Sequence, residues 1–154
     1  MKRLILIILA AGLIILSGAS FAAGAIVVSD FVSAGAGEYE ITYTCTADAS
    51  GATFIATATT RPLYGYVYEV VTNPGSPSPT ALYDITLTDS DGVDIMGGQL
   101  LNRSATVSES AVPKNDGVRC DRKVNSVLTI NITNNSVNSA VIVVKVRFYL
   151  PAYR

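Results

Sequence analysis

The chain has 154 residues and a formal net charge of −1 at pH 7, from 11 basic and 12 acidic side chains; it is 49% hydrophobic, 15% charged, and contains two cysteines and no histidine. That length fits one domain around one core, and the sparse charge gives no electrostatic footprint for a nucleic acid. The missing histidine removes the usual zinc site and any histidine-based triad or general base.

Met1-Lys2-Arg3 is a short basic start, followed by an apolar run from Leu4 to Leu16 and then by small residues through Ala22. This is the layout of an export signal, 1–22, with the cut after Ala22 or at the neighbouring Ala23. The alternative is an uncleaved anchor, because no charge appears between Leu4 and Ser29 and that stretch is long enough to cross a bilayer as a helix. Either way the body of the protein is expected outside the cytoplasm: periplasmic, at the cell surface or extracellular. Without Lys2 and Arg3, nine basic residues face twelve acidic ones, a net charge of −3.

Residues 23–37 are small and rich in Gly and Ala, a flexible lead-in or an edge strand. From Glu38 the period becomes two: Tyr39, Ile41, Tyr43 and Cys45 alternate with Glu40, Thr42, Thr44 and Thr46, predicting a half-buried strand. After the turn 48–51, strands are predicted over 52–60 and 63–72, the latter with Tyr64, Tyr66 and Tyr68 on one face. Three prolines make 73–79 a loop. Tyr83, Ile85 and Leu87 alternate in a strand over 82–88, and Asp89-Ser90-Asp91-Gly92 turns the chain into another at 93–96. Short strands are expected at 99–101 and 105–108, an exposed loop at 113–123, and final strands at 126–131 and 140–150. In the last of these Ile142, Val144, Val146, Phe148 and Leu150 share a face.

No stretch after the leader has helical periodicity, so the expected fold is all-β: an antiparallel two-sheet sandwich, Ig-like or jelly-roll-like, of seven or eight strands over 38–154. Cys45 and Cys120, an isolated pair in an oxidising compartment, are expected to bond, worth about 4 kcal/mol in the chain-entropy model; two buried thiols are the alternative. Asp89, Asp91 and Asp94 offer oxygen ligands on a turning backbone, as calcium prefers, but Asp-Gly is also a hairpin turn. Tyr64, Tyr66 and Tyr68 are either an aromatic platform for a glycan or partner, or a packed sheet face. Asn102, Asn131 and Asn134 stand in glycosylation sequons.

From about Glu38 to Leu150 the chain resembles a loose group of small, uncharacterised proteins of tailed bacteriophages and prophages. The likeness rests on Tyr-Thr-Cys-Thr-Ala-Asp-Ala-Ser-Gly at 43–51, Val-Thr-Asn-Pro-Gly at 71–75, Tyr-Asp-Ile-Thr-Leu-Thr-Asp-Ser-Asp-Gly-Val-Asp-Ile-Met-Gly-Gly at 83–98, Asn102-Arg103-Ser104, and Leu-Thr-Ile-Asn-Ile-Thr-Asn at 128–134. What the resemblance implies is a virion-associated β-sandwich with no catalytic residues to carry over. The leader and the cysteine pair are departures from it.

The functional expectation is a non-enzymatic, exported structural or adhesive module, with no cofactor unless calcium. Its expected partners are further copies or other surface or virion proteins, with glycans as candidates, no nucleic acid, and a membrane only through an uncleaved leader. The alternatives are a secreted carbohydrate- or calcium-binding module and a pilus-type subunit. Strand exchange through an exposed edge would serve the latter.

Overall fold

The computed structural model describes residues 23–29, 32–35 and 37–150. The expected leader with Ala22, and the tail with Pro151 and Tyr153, lie outside the described residues; Ala23 is exposed. Within them the chain forms strands and no helix: β1 (Ala25–Val28), β2 (Val32–Gly35), β3 (Glu38–Thr46), β4 (Thr57–Ala58), β5 (Leu63–Pro74), β6 (Asp84–Thr88), β7 (Glu109–Ala111), β8 (Lys114–Asn115), β9 (Val118–Arg119), β10 (Arg122–Ser126), β11 (Thr129–Thr133) and β12 (Val141–Tyr149).

Every pairing is antiparallel. In the large sheet β12 is central, pairing with β3 from Val141↔Thr46 to Tyr149↔Glu38 and with β5 on its other side. β1 and β2 pair with opposite halves of β3, and β10 and β7 with opposite halves of β5. Of the 23–37 lead-in, β1 and β2 therefore form an edge of the large sheet. A small sheet runs β4-β11-β6, and β8 and β9 form a separate hairpin.

Strict alternation decides which side chains go inward. Ile41, Tyr43 and Cys45 of β3 and Ile142, Val144, Val146 and Phe148 of β12 join Ile85, Leu87, Ile130 and Ile132 of the small sheet in one buried cluster. Each such aliphatic side chain contributes roughly 1.5–3 kcal/mol by leaving water. The Tyr43 hydroxyl donates to the Leu128 carbonyl at 3.1 Å, so its one polar atom is satisfied inside the core. Burial pushes the Tyr43 phenol well above its ordinary value, and the neighbouring Cys45 adds to the shift.

β5 departs from strict alternation. Arg147 pairs with Glu69 and Phe148 with Val67, which leaves Tyr68 as an extra residue in a bulge. Tyr68 and Glu69 thus both avoid the core, and Val70 returns to it fully buried. Without the bulge Glu69 would follow Leu63 and Val67 inward, where an unpaired carboxylate is costly.

Several predicted strands are replaced. Only Thr57–Ala58 of 52–60 pairs; Ala52 and Phe54 turn inward and Thr53 and Ile55 outward as in a strand, but the Thr53 and Ala52 carbonyls accept from the Asp48 N–H and the Asn135 amide instead of from a neighbouring strand. The regions 93–96, 99–101 and 105–108 are turns and irregular chain, with isolated bridges Thr88↔Asp94 and Tyr83↔Arg103. The expected loop 113–123 instead holds the β8–β9 hairpin and the start of β10. Asp116 and Gly117, at φ 48° and 79°, supply its positive-φ turn.

Candidate functional site

The acidic cluster is built as turns. Asp89 Oδ1 accepts from the Asp91 and Val93 N–H groups at 3.0 and 2.9 Å. Asp94 Oδ1 accepts from Leu87 and Met96 at 3.4 and 3.1 Å, and its Oδ2 from Gly98 at 2.7 Å. These bonds stand in for the ladder expected over 93–96. Among the described residues no three metal-ligating side chains converge, so the structure does not assemble Asp89, Asp91 and Asp94 into a calcium site. Asp84, at the start of β6, accepts from the Asn102 N–H at 2.7 Å and from the Asn134 amide.

The expected Cys45–Cys120 bond is not made; both thiols are free. Cys45 pairs with Ile142 and points into the core, where burial pushes its thiol up to about 12. Cys120 lies two residues before Arg122, which is level with Val67, Phe148 and Tyr39. Tyr39 is six residues from Cys45 along β3, about 20 Å at the strand rise, and β10 is three strands across the sheet from β3. A disulfide spans less than about 7 Å between Cα atoms, so the register forbids it.

Tyr64, Tyr66 and Tyr68 do share a face, and it is the outer one, because Leu63, Gly65 and Val67 take the inner side of β5. Tyr66 stacks on Tyr149 of β12 with ring centroids 5.4 Å apart, and Tyr68 meets the same ring at 6.1 Å. The Tyr149 hydroxyl donates to Asp121 at 2.9 Å, while Tyr64 stands 60% exposed. Beside this strip, Glu40 binds Lys145 at 2.9 Å and Arg147 at 3.1 Å, and Arg147 reaches Glu69 at 2.7 Å. Partial burial raises the Glu40 carboxyl, but bonds and charge from Lys145 and Arg147 outweigh it and hold Glu40 below its ordinary value.

Sequence reasoning missed one buried ion pair. Arg103 is almost fully buried; its Nε and Nη2 donate to Glu109 Oε2 at 3.0 and 2.8 Å, and its Nη1 to the Gln99 carbonyl at 3.0 Å. Ser104 N–H donates to the same Glu109 oxygen at 2.6 Å. This ties the 99–109 loop to β7 and so to β5. The only cue in the sequence was a lone arginine in a sparsely charged segment.

The class these features define is an all-β, antiparallel domain whose carboxylates serve mainly as turn caps and ion-pair partners. No family model matches the chain, and no curated protein matches it. Among solved structures it is similar to a chain described as "Cyanophage Pam1 capsid asymmetric unit", with a TM-score of 0.39 and 18% identity over 84% of this chain and 87% of that one.

Proposed function

We propose that the chain is a non-enzymatic structural module that acts by packing against other proteins outside the cytoplasm, in a phage-related or cell-surface assembly. The large and small sheets, sharing one core, would be the two layers of its sandwich. The observation that carries the reading is the disposition of polar groups. Asp84, Asp89, Asp94 and Glu109 are occupied by main-chain N–H groups, and Glu40 and Glu69 by Lys145 and Arg147. Carboxylates so engaged are poorly placed for acid–base work. What stays open is the outer sheet face, where Tyr64, Tyr66 and Tyr68 stand on β5 beside Tyr149 of β12; such aromatic area with polar tips suits a protein contact. The export part of the reading rests on the basic start and apolar run of 1–22.

A pilus-type exchange through the last strand has less support: β12 is hydrogen-bonded on both sides. Light scattering across a concentration series, with wild type and Tyr64→Asp/Tyr66→Asp, tests the packing role. Concentration-dependent particles that the double variant abolishes are expected. A monomer at every concentration, with no affinity for virions or cell envelopes, would overturn the proposal.

A further inference from the structure

The outer face of the large sheet carries a row of side chains whose two ends differ in charge. Directly opposed residues of neighbouring strands point to the same side of a sheet. The registers Lys123↔Tyr66, Tyr66↔Tyr149 and Tyr149↔Glu38 therefore set these four residues side by side across β10, β5, β12 and β3. The stacking of Tyr66 on Tyr149 agrees with that placement. Glu38 lies by the neighbouring Tyr68 as well: burial first, and then the Glu38 charge, push the Tyr68 phenol above its ordinary value.

Both ends of the row are exposed, and among the described residues neither Lys123 nor Glu38 makes an ion pair. Within one copy they stand three strand spacings apart, about 14 Å, with the two tyrosines between them. Further along the same face Glu40, Glu69, Lys145 and Arg147 already satisfy one another. A cation at one end, an anion at the other and aromatic area between them make a surface complementary to itself. A two-fold axis parallel to the strands, running between β5 and β12, reverses the row: Lys123 of one copy then faces Glu38 of a second, and Tyr66 faces Tyr149. The same axis sets Glu69 opposite Arg147, since those two residues are also cross-strand partners.

Resting on the packing role proposed for this face, we infer that its partner is a second copy of the chain, bound face to face about that axis with two Lys123–Glu38 ion pairs flanking the tyrosines. The face is large enough. Four strands about 4.8 Å apart and the nine residues of β12 at about 3.3 Å each span roughly 20 by 30 Å, about 600 Å2 a copy. A dimer would bury about 1200 Å2, at the lower end of stable specific interfaces. The contact is isologous and closes at two copies. Its outlying charges select this register over others, while the aromatic centre supplies most of the affinity.

The test is sedimentation equilibrium of the purified protein as wild type, Lys123→Glu, Glu38→Lys and the double reversal. Both positions are exposed, and an unchanged thermal midpoint verifies that each variant folds. Each single reversal sets like charges against each other at both ends of the row and should weaken the dimer at least tenfold. The double reversal, which restores both pairs at unchanged net charge, should return wild-type affinity, and an equimolar mixture of the two single variants should dimerise again. A wild-type dimer that both single variants retain, or a double reversal no tighter than they are, would overturn the inference and leave the packing role standing. A monomeric wild type would overturn it too; binding to virions or cell envelopes that Tyr64→Asp/Tyr66→Asp abolishes would then preserve the packing role, and no binding at all would remove both.

Discussion

Replacing Glu109 with alanine would strand a buried cation. In the wild type one Glu109 oxygen accepts from Arg103 Nε, Arg103 Nη2 and Ser104 N, and the Arg103 side chain is only 10% exposed. Breaking one partner of a fully buried pair costs about 3–5 kcal/mol. Glu109 is 32% exposed and partly hydrated already, which places Glu109→Ala at the lower end, about 3 kcal/mol. Arg103→Met keeps the aliphatic stem and leaves a carboxylate that water can reach and Ser104 still caps, so it should cost less, about 1–2 kcal/mol. Urea unfolding of both single variants and the double variant closes the cycle, with a coupling energy of about 1–2 kcal/mol expected. A coupling under about 0.5 kcal/mol, or Arg103→Met costing more than Glu109→Ala, would refute the claim that a desolvated cation sets the penalty.

Three further outcomes follow from the same geometry. The Ser104 N–H, the largest influence, together with Arg103 holds Glu109 below its ordinary carboxyl value against the rise from burial; Glu40 is also held low. Their depressed folded-state values mean that the stability they contribute is present above the ordinary carboxylate value and lost as pH falls through the folded values, so the urea midpoint should drop on acidification. Glu109→Gln should flatten that drop; an unchanged acid profile would count against the assignment. Native protein treated with a thiol reagent should label at Cys120 alone, with Cys45 reacting only after unfolding, and the intact mass should be the same with and without reductant. A two-hydrogen deficit in the unreduced protein would contradict the strand register. Gly97→Ala should cost about 2–4 kcal/mol, because φ there is 61° and an added Cβ would lie 2.2 Å from the Lys114 carbonyl oxygen; a thermal shift of a degree or less would show that the 97–114 approach relaxes freely.

The inward set of each strong strand was legible in the sequence, because a strand half in water writes its burial into a period of two; the exception is Leu150, just past the end of β12, which is exposed. Tyr39 to Cys45, Tyr83 to Leu87 and Ile142 to Phe148 fall where that period places them. The hairpin at Asn115-Asp116-Gly117 carried a readable turn signal, obscured by the polar residues around it. The irregular path of 52–55 had no signal: Phe54 turns inward and Ile55 outward as a strand would place them, yet only Thr57 and Ala58 pair with β11.

By itself the sequence determined the all-β class and which side of each alternating strand faces the core, since both depend on the local order of polar and apolar groups. Only the tertiary structure decided which strands are neighbours. That depends on contacts between residues far apart in the chain: on β12 lying between β3 and β5, which keeps Cys45 from Cys120, and on the bulge at Tyr68, which turns Glu69 outward to Arg147. The same placement sets the tyrosines on the outer face, because the inner side of β5 is already filled against the small sheet and no local pattern in 63–72 records what lies across the core.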